Sequence, residues 1–313
     1  MKILKIIGKS FLWFITGIFS LILLIFISLN ILKYAIYSEY YSIKTNICEN
    51  PGLNDGFVCQ GIAANEENGV ILVSGYMNNK TNSRIYITDY KNNSYYVKLT
   101  KNGNPYTGHI GGIATTNNNV YICGNSGFYI LKLDELLSLK NGNEIALEEY
   151  VEVEGSASFV FSNEEYLLIG EFHNGKEYVT NHPYETKDGT YYAIIRQYSI
   201  NDFSKPVKVY SIRNNVQGVC LTPEGKIVLS TSYGLASTEY FIYDSNNATK
   251  SANYLDDAPV YYLENYEKKI TGPAMGEDLD YYDGGVITLT ESASNKYIFG
   301  KLFFATKIVK LAF

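Results

Sequence analysis

Apolar and polar positions alternate in short runs along most of this chain. Val70-Ile71-Leu72-Val73, Arg84-Ile85-Tyr86-Ile87, Tyr166-Leu167-Leu168-Ile169, Lys226-Ile227-Val228-Leu229 and Val286-Ile287-Thr288-Leu289 are each bounded by Asn, Asp, Gly or Ser clusters. Short β-branched and aromatic runs punctuated by turn residues predict strands. Asp188-Gly189 and Glu224-Gly225 suit the tight turns between them. Only Asp134-Glu135-Leu136-Leu137-Ser138-Leu139 reads as helix, one or two turns ended near Gly142.

The strands recur in a fixed arrangement. Five apolar strands open through a small or Gly-containing motif: Gln60-Gly61-Ile62-Ala63, Gly111-Gly112-Ile113-Ala114, Ala157-Ser158-Phe159-Val160, Gln217-Gly218-Val219-Cys220 and Glu277-Asp278-Leu279-Asp280. A second strand ends 12 to 14 residues after each opening, near Ser74, Cys123, Gly170, Ser230 and Thr290. Successive openings lie 46 to 60 residues apart. Repeated antiparallel units of that length predict an all-β fold, a β-propeller of four-stranded blades. Five blades is the favoured count. Six is the alternative, because the unit from 157 to 217 is long enough to hide another pair. The last unit stops one strand short after Thr306–Leu311, and residues 40–48 are expected to supply the missing outer strand and remove an exposed edge.

The first residues are a different material. Lys2, Lys5 and Lys9 precede an uncharged run from Ser10 to Leu32. About 23 residues at 1.5 Å each span the roughly 30 Å hydrocarbon layer. The run has no small-residue cleavage site, so it reads as an uncleaved signal-anchor. The leading lysines place the N-terminus in the cytoplasm and the rest outside. The expected organisation is a cytoplasmic N-terminus at 1–9, a transmembrane anchor at 10–32, a juxtamembrane segment with the blade-closing strand at 33–49, and one propeller domain at 50–313. The expected location is the cell membrane, single-pass, with the C-terminal domain extracytoplasmic.

Net charge is −6 over 313 residues, and the first 40 residues contribute +3. The propeller is therefore acidic, without Lys/Arg runs, which argues against a nucleic-acid partner. Four cysteines, Cys48, Cys59, Cys123 and Cys220, contain no CxxC. Cys48 and Cys59 bracket a turn-rich loop and could bridge, whereas Cys123 and Cys220 sit in apolar strands.

In a propeller the inner strands line the central channel, so the start of each inner strand and the end of the next lie on one face. Candidate ligand-binding residues at this channel mouth are Gln60, Tyr76, His109, Glu171, His173, Gln217, Glu277 and Glu291. The long loop at 174–189, which carries His182, could cover them. Glutamines, carboxyls and aromatic rings suit a small polar ligand or a protein or peptide partner. Glu277 and His109 are candidate metal ligands, for Ca²⁺ or another divalent ion. The alternative function is a metal-dependent hydrolase of lactone, ester or phosphoester substrates, although no GxSxG motif or triad is present; catalytic residues are not assigned.

Val58-Cys59-Gln60-Gly61-Ile62-Ala63, Val73-Ser74-Gly75-Tyr76-Met77, Gly108-His109-Ile110-Gly111-Gly112-Ile113-Ala114, Val216-Gln217-Gly218-Val219 and Gly272-Pro273-Ala274-Met275-Gly276-Glu277 resemble motifs of uncharacterised bacterial extracytoplasmic propeller proteins. More distantly the repeat is similar to gluconolactonase-like and strictosidine-synthase-like propellers. That resemblance implies a divalent metal at the axis held by a Glu, Asn and Asp set. Glu277 matches one such ligand, and the other openings carry no evident Asn or Asp.

Overall fold

The computed structural model describes residues 2–297 and 305–313, with side chains from residue 8 onward. Five antiparallel sheets arranged as blades make up the domain after the N-terminal helix. Strands are lettered A to D outward from the axis. Blade 1 comprises Phe57–Asn65, Val70–Met77, Arg84–Asp89 and Ser94–Lys101. Blade 2 comprises Ile113–Thr115, Asn119–Gly124, Gly127–Lys132 and Glu149–Glu152, with the helix Leu133–Ser138 after its strand C. Blade 3 comprises Phe159–Ser162, Tyr166–Gly170, Ala193–Ser199 and Lys208–Ile212, and blade 4 comprises Val216–Leu221, Lys226–Thr231, Thr238–Asp244 and Lys268–Gly272. Blade 5 takes Gly276–Tyr282, Gly285–Thr290 and Lys307–Leu311 from the end of the chain.

Its fourth strand comes from the other end. Lys44–Glu49 pairs antiparallel with Lys307–Leu311, with Lys44 opposite Leu311 and Glu49 opposite Lys307. The Lys307 ammonium also meets the Glu49 carboxylate. Residues 40–43, expected to open this strand, belong instead to a short helix, Ser38–Ile43. Its Tyr40 ring is buried against Tyr240 and lies over Gly272, a tertiary contact that the local alternation does not encode.

The long units do not hide a sixth blade. In the unit from 157 to 217 the extra length is a hairpin, Tyr184–Thr186 with Gly189–Tyr191, that forms its own two-stranded sheet. In blade 4 the extra length is Thr249–Leu255 and Ala258–Tyr262, and the second of these pairs parallel with strand D of blade 3. Glu144–Ala146 of blade 2 does the same to strand D of blade 1. Outer edges that would template aggregation are thus covered by a neighbour's connection.

Apolar side chains from facing blades fill the spaces between them. Ile62, Val73 and Phe57 of blade 1 pack with Ile287, Leu289 and Ile308 of blade 5, and Ala63 and Leu72 pack with Ile113 and Ile122 of blade 2. The inner strands come close at the axis, where side chains are a liability. A Cβ at Gly218 would stand 2.5 Å from Asp278 Cα, and one at Gly61 would stand 2.6 Å from Ile113 N. All four cysteines are buried free thiols, so the Cys48–Cys59 bridge is not formed. Instead the Cys59 thiol accepts a hydrogen bond from Asn50 Nδ2 at 3.1 Å.

Ahead of the propeller runs one helix, Lys2–Ile36, which over Gly8–Ile36 is long and apolar enough to cross a membrane and is not buried against the rest of the chain. The side chains of Lys2 and Lys5, on which the expected orientation rests, lie outside the described residues.

Candidate functional site at the channel mouth

Three of the five inner strands open with the same irregularity. In blade 1 Cys59 pairs with Gly75 and Gly61 with Ser74, leaving Gln60 without a partner opposite. In blade 4 Val216 pairs with Thr231 and Gly218 with Ser230, leaving Gln217 in the same position. In blade 5 Gly276 pairs with Thr290 and Leu279 with Thr288, so that Glu277 and Asp278 together oppose one residue. These are β-bulges, which insert an extra residue, twist the strand and re-aim a side chain. Here they aim Gln60, Gln217 and Glu277 into one cavity at the channel mouth.

That cavity measures about 890 Å³. Of the residues expected at the mouth, Gln60, Tyr76, His109, Gln217, Glu277 and Glu291 line it, together with Asn125, Ser156, Phe172, Tyr233 and Lys296. Gln60 Nε2 donates to Glu291 Oε2 at 2.8 Å and to its neighbour's carbonyl, Cys59 O, at 3.0 Å. The Lys296 ammonium bonds the Tyr76 hydroxyl and lies 4.9 Å from the centre of its ring. Tyr76 and His109 pack ring on ring, with centroids 4.0 Å apart.

Burial governs the electrostatics. It pushes the Glu277 carboxyl well above the usual carboxylate range, with the Glu291 charge adding to the effect. Glu291 is itself raised to about 7 by burial, with Lys296, Gln60 and Tyr297 opposing the rise. Burial thus favours the protonated form of the Glu277 carboxyl, which donates as well as accepts. Burial and the nearby Lys296 charge both lower the pKa of His109, which stays neutral. Below the mouth Asp278 closes the axis. It is fully buried, and its Oδ2 accepts from the backbone N–H of Ile113 at 3.3 Å and of Ile62 at 3.4 Å. One carboxyl thus ties strands A of blades 1, 2 and 5, and its burial pushes its pKa well above the usual carboxylate range.

Glu171 and His173 are not part of the lining. Glu171 is buried in an ion pair with Arg196, Oε1 to Nη1 at 3.2 Å, and the same oxygen lies 3.3 Å from His182 Nε2. Arg196 Nε bonds Asp256 at 2.7 Å. His173 Nδ1 accepts the Thr180 N–H at 3.0 Å, and its ring stacks on Tyr192. A buried guanidinium needs carboxylate partners, and Arg196, from strand C of the same blade, takes Glu171 away from the mouth. These residues instead pin the loop that follows strand B, whose Glu177, Tyr178, Val179 and Thr180 wall one side of the cavity. The loop's length signalled a cover. Nothing in the local sequence signalled Arg196 as the partner, because the contact joins different strands.

The mouth fits a divalent cation poorly. Among the described residues no group of three or more His, Cys, Asp or Glu side chains is placed to hold a metal ion. The ammonium of Lys296 stands close enough to His109 to lower its pKa and close enough to Glu291 to compensate it. The arrangement can instead hydrogen-bond: two amides, two carboxyl groups, a neutral imidazole and an ammonium beside aromatic rings.

No family model and no curated protein matches the chain. Among solved structures, the PQQ-bound aldose sugar dehydrogenase of Streptomyces coelicolor is similar at a TM-score of 0.45 and 14% identity, covering 79% of this chain and 76% of that one. BamB from Moraxella catarrhalis is similar at a TM-score of 0.35 and 7% identity, covering 82% and 83%. The hydrazine synthase of Kuenenia stuttgartiensis is similar at a TM-score of 0.40 and 8% identity, covering 74% of this chain, which spans only 56% of that one. The dehydrogenase and BamB are β-propeller proteins, as this chain is.

Proposed function

We propose that this protein is a membrane-anchored, extracytoplasmic binding protein that holds a small polar ligand in the cavity at its channel mouth. The observation that carries the reading is the convergence of the three bulged residues, Gln60, Gln217 and Glu277, on one cavity of about 890 Å³. Ligand sites are concave, partly aromatic, and fixed by a few convergent polar groups, with volumes of roughly 300–1,000 Å³. The loop wall at Glu177–Thr180 encloses the site on one side, which favours a small molecule over a protein partner that needs an open face.

The test is a thermal-shift panel of amines, amino acids, sugars and nucleosides on the full-length protein in detergent. One chemical class is expected to raise the melting temperature. Gln217→Ala is expected to weaken its binding several-fold, matching loss of one hydrogen bond worth about 1 kcal/mol, and Glu277→Gln to weaken it further where the ligand needs a carboxyl. A panel that leaves the melting temperature unchanged, or hits that the variants bind equally well, defeats the reading. Turnover of lactone, ester or phosphoester substrates by the purified protein would replace it with the hydrolase alternative, in which the neutral His109 is the candidate general base.

A further inference from the structure

The helix and the cavity are on the same side of the propeller. Strands A begin, and strands B end, at the face that carries the cavity, so strands C begin there and strands D end there. In blade 4 this places Ser237, just before strand C, and Gly272, the last residue of strand D, at the cavity face. Tyr37 and Tyr40 are buried against those two places: the Tyr37 hydroxyl lies 3.1 Å from Ser237 Oγ, and the Tyr40 ring sits over Gly272. Ile43 O meets Ala312 N at 3.2 Å, beyond the far end of strand C of blade 5, and Lys44 pairs with Leu311 there. The segment from Tyr37 to Lys44 thus runs from the cavity face to the opposite face.

Tyr37 leaves the helical conformation, at φ −110° and ψ 37°, and separates the two helices, while its N–H still bonds Lys33 O and its carbonyl accepts from Tyr41 N, each at 2.9 Å. The Tyr34 and Tyr41 rings pack across this junction at 4.4 Å. Traced backwards, the apolar helix therefore leaves the propeller on the cavity side. Two loops on that face expose apolar side chains: Tyr178 and Val179 beside blade 3, and Tyr233 and Leu235 beside blade 4, with Val179 69% and Leu235 72% exposed. The opposite face also exposes Tyr254, which pairs with Pro259 beside the start of strand D of blade 3. Exposure alone does not choose a face, and the path of the helix does.

Resting on the membrane-anchored reading, we infer that the cavity face of the propeller lies against the lipid surface its own helix crosses. Val179, Tyr233 and Leu235 enter the headgroup region, and the cavity takes its ligand from the layer between propeller and membrane. Aromatic residues at the headgroup level and apolar side chains beyond it are the chemistry of such a contact.

The test places single tryptophans in the full-length protein reconstituted into phosphatidylcholine vesicles brominated near the top of the acyl chains. The native chain has one tryptophan, Trp13 in the apolar helix, which serves as the anchoring control. In a Trp13→Phe background, Leu235→Trp and Val179→Trp are expected to lose emission in brominated vesicles, and Tyr254→Trp, on the opposite face, is expected to keep it. Quenching at position 254 but not at 235 and 179, or at none of the three while Trp13 is quenched in the native chain, overturns the inference. An unquenched Trp13 overturns the anchoring itself, and the inference with it.

Discussion

Buried carboxyls set the pH response at the scale of single residues. Asp280, two positions after Asp278 on the same inner strand, accepts the Ala64 N–H at 2.7 Å and is raised to about 7, chiefly by burial. An aspartate whose folded pKa exceeds its unfolded value of 3.8 contributes stability that is complete below that value and lost as pH rises through the folded one. Between pH 4 and 7 the loss approaches about 1.4 kcal/mol per pH unit for such a group. Asp280→Asn keeps an acceptor for Ala64 without the charge. The melting temperature of the variant relative to the native protein should therefore climb from pH 5 to pH 8. His109 and His173, held neutral by burial, oppose the trend in the native protein below pH 6.5 but are common to both chains. A flat difference across that range would show that Asp280 ionises freely in the fold.

At the scale of elements, the outer strand of blade 5 joins the two ends of the chain. Without Lys44–Glu49, strand Lys307–Leu311 would present bare N–H and C=O groups, and Cys48 and Ile47 would leave the cluster of Leu53, Ile287 and Ile308. Chains beginning at residue 38 and at residue 50 separate this closure from the loss of the apolar helix. The longer should melt as one cooperative unit. The shorter should melt more than about 5 °C lower, given about 2–4 °C for each kcal/mol in a domain of this size, and a shared melting temperature would deny the strand its role. This element also marks how far the sequence can be read. The five hairpins were legible because alternating apolar runs and turn residues report strands directly, and because a constant hairpin length reports a repeat. The helix Ser38–Ile43 was not legible: Tyr40 and Tyr41 suit a strand as well as a helix, and only packing against Tyr240 and Gly272 decides. Six of the eight residues expected at the mouth are there, since topology alone places strand ends on a face. Glu171 and His173 depart because their partners, Arg196 and Thr180, are set by tertiary contacts that local spacing does not encode.

At the scale of the whole molecule, orientation across the membrane is separate from orientation upon it. Strand directions decide which face of the propeller the helix leaves, whatever compartment the propeller occupies. Charge at the helix ends predicts which compartment that is: Lys2, Lys5 and Lys9 stand before the apolar span, and the positive-inside tendency favours the cytoplasm for them. Lys33 and Lys44 at the other end oppose this with two charges, and Lys33 sits near the Tyr34 and Tyr41 rings. Three against two predicts the propeller outside. The four native cysteines are buried, so an added thiol reports alone. Asn246→Cys, in an exposed turn after strand C of blade 4, should react in intact cells with a membrane-impermeant maleimide as fully as it does after lysis. Labelling only after lysis would place the propeller in the cytoplasm. The cavity would then face the inner leaflet instead of the outer one, and the ligand would come from the cytoplasmic side, while the fold, the bulged residues and the membrane-facing mouth would stand unchanged.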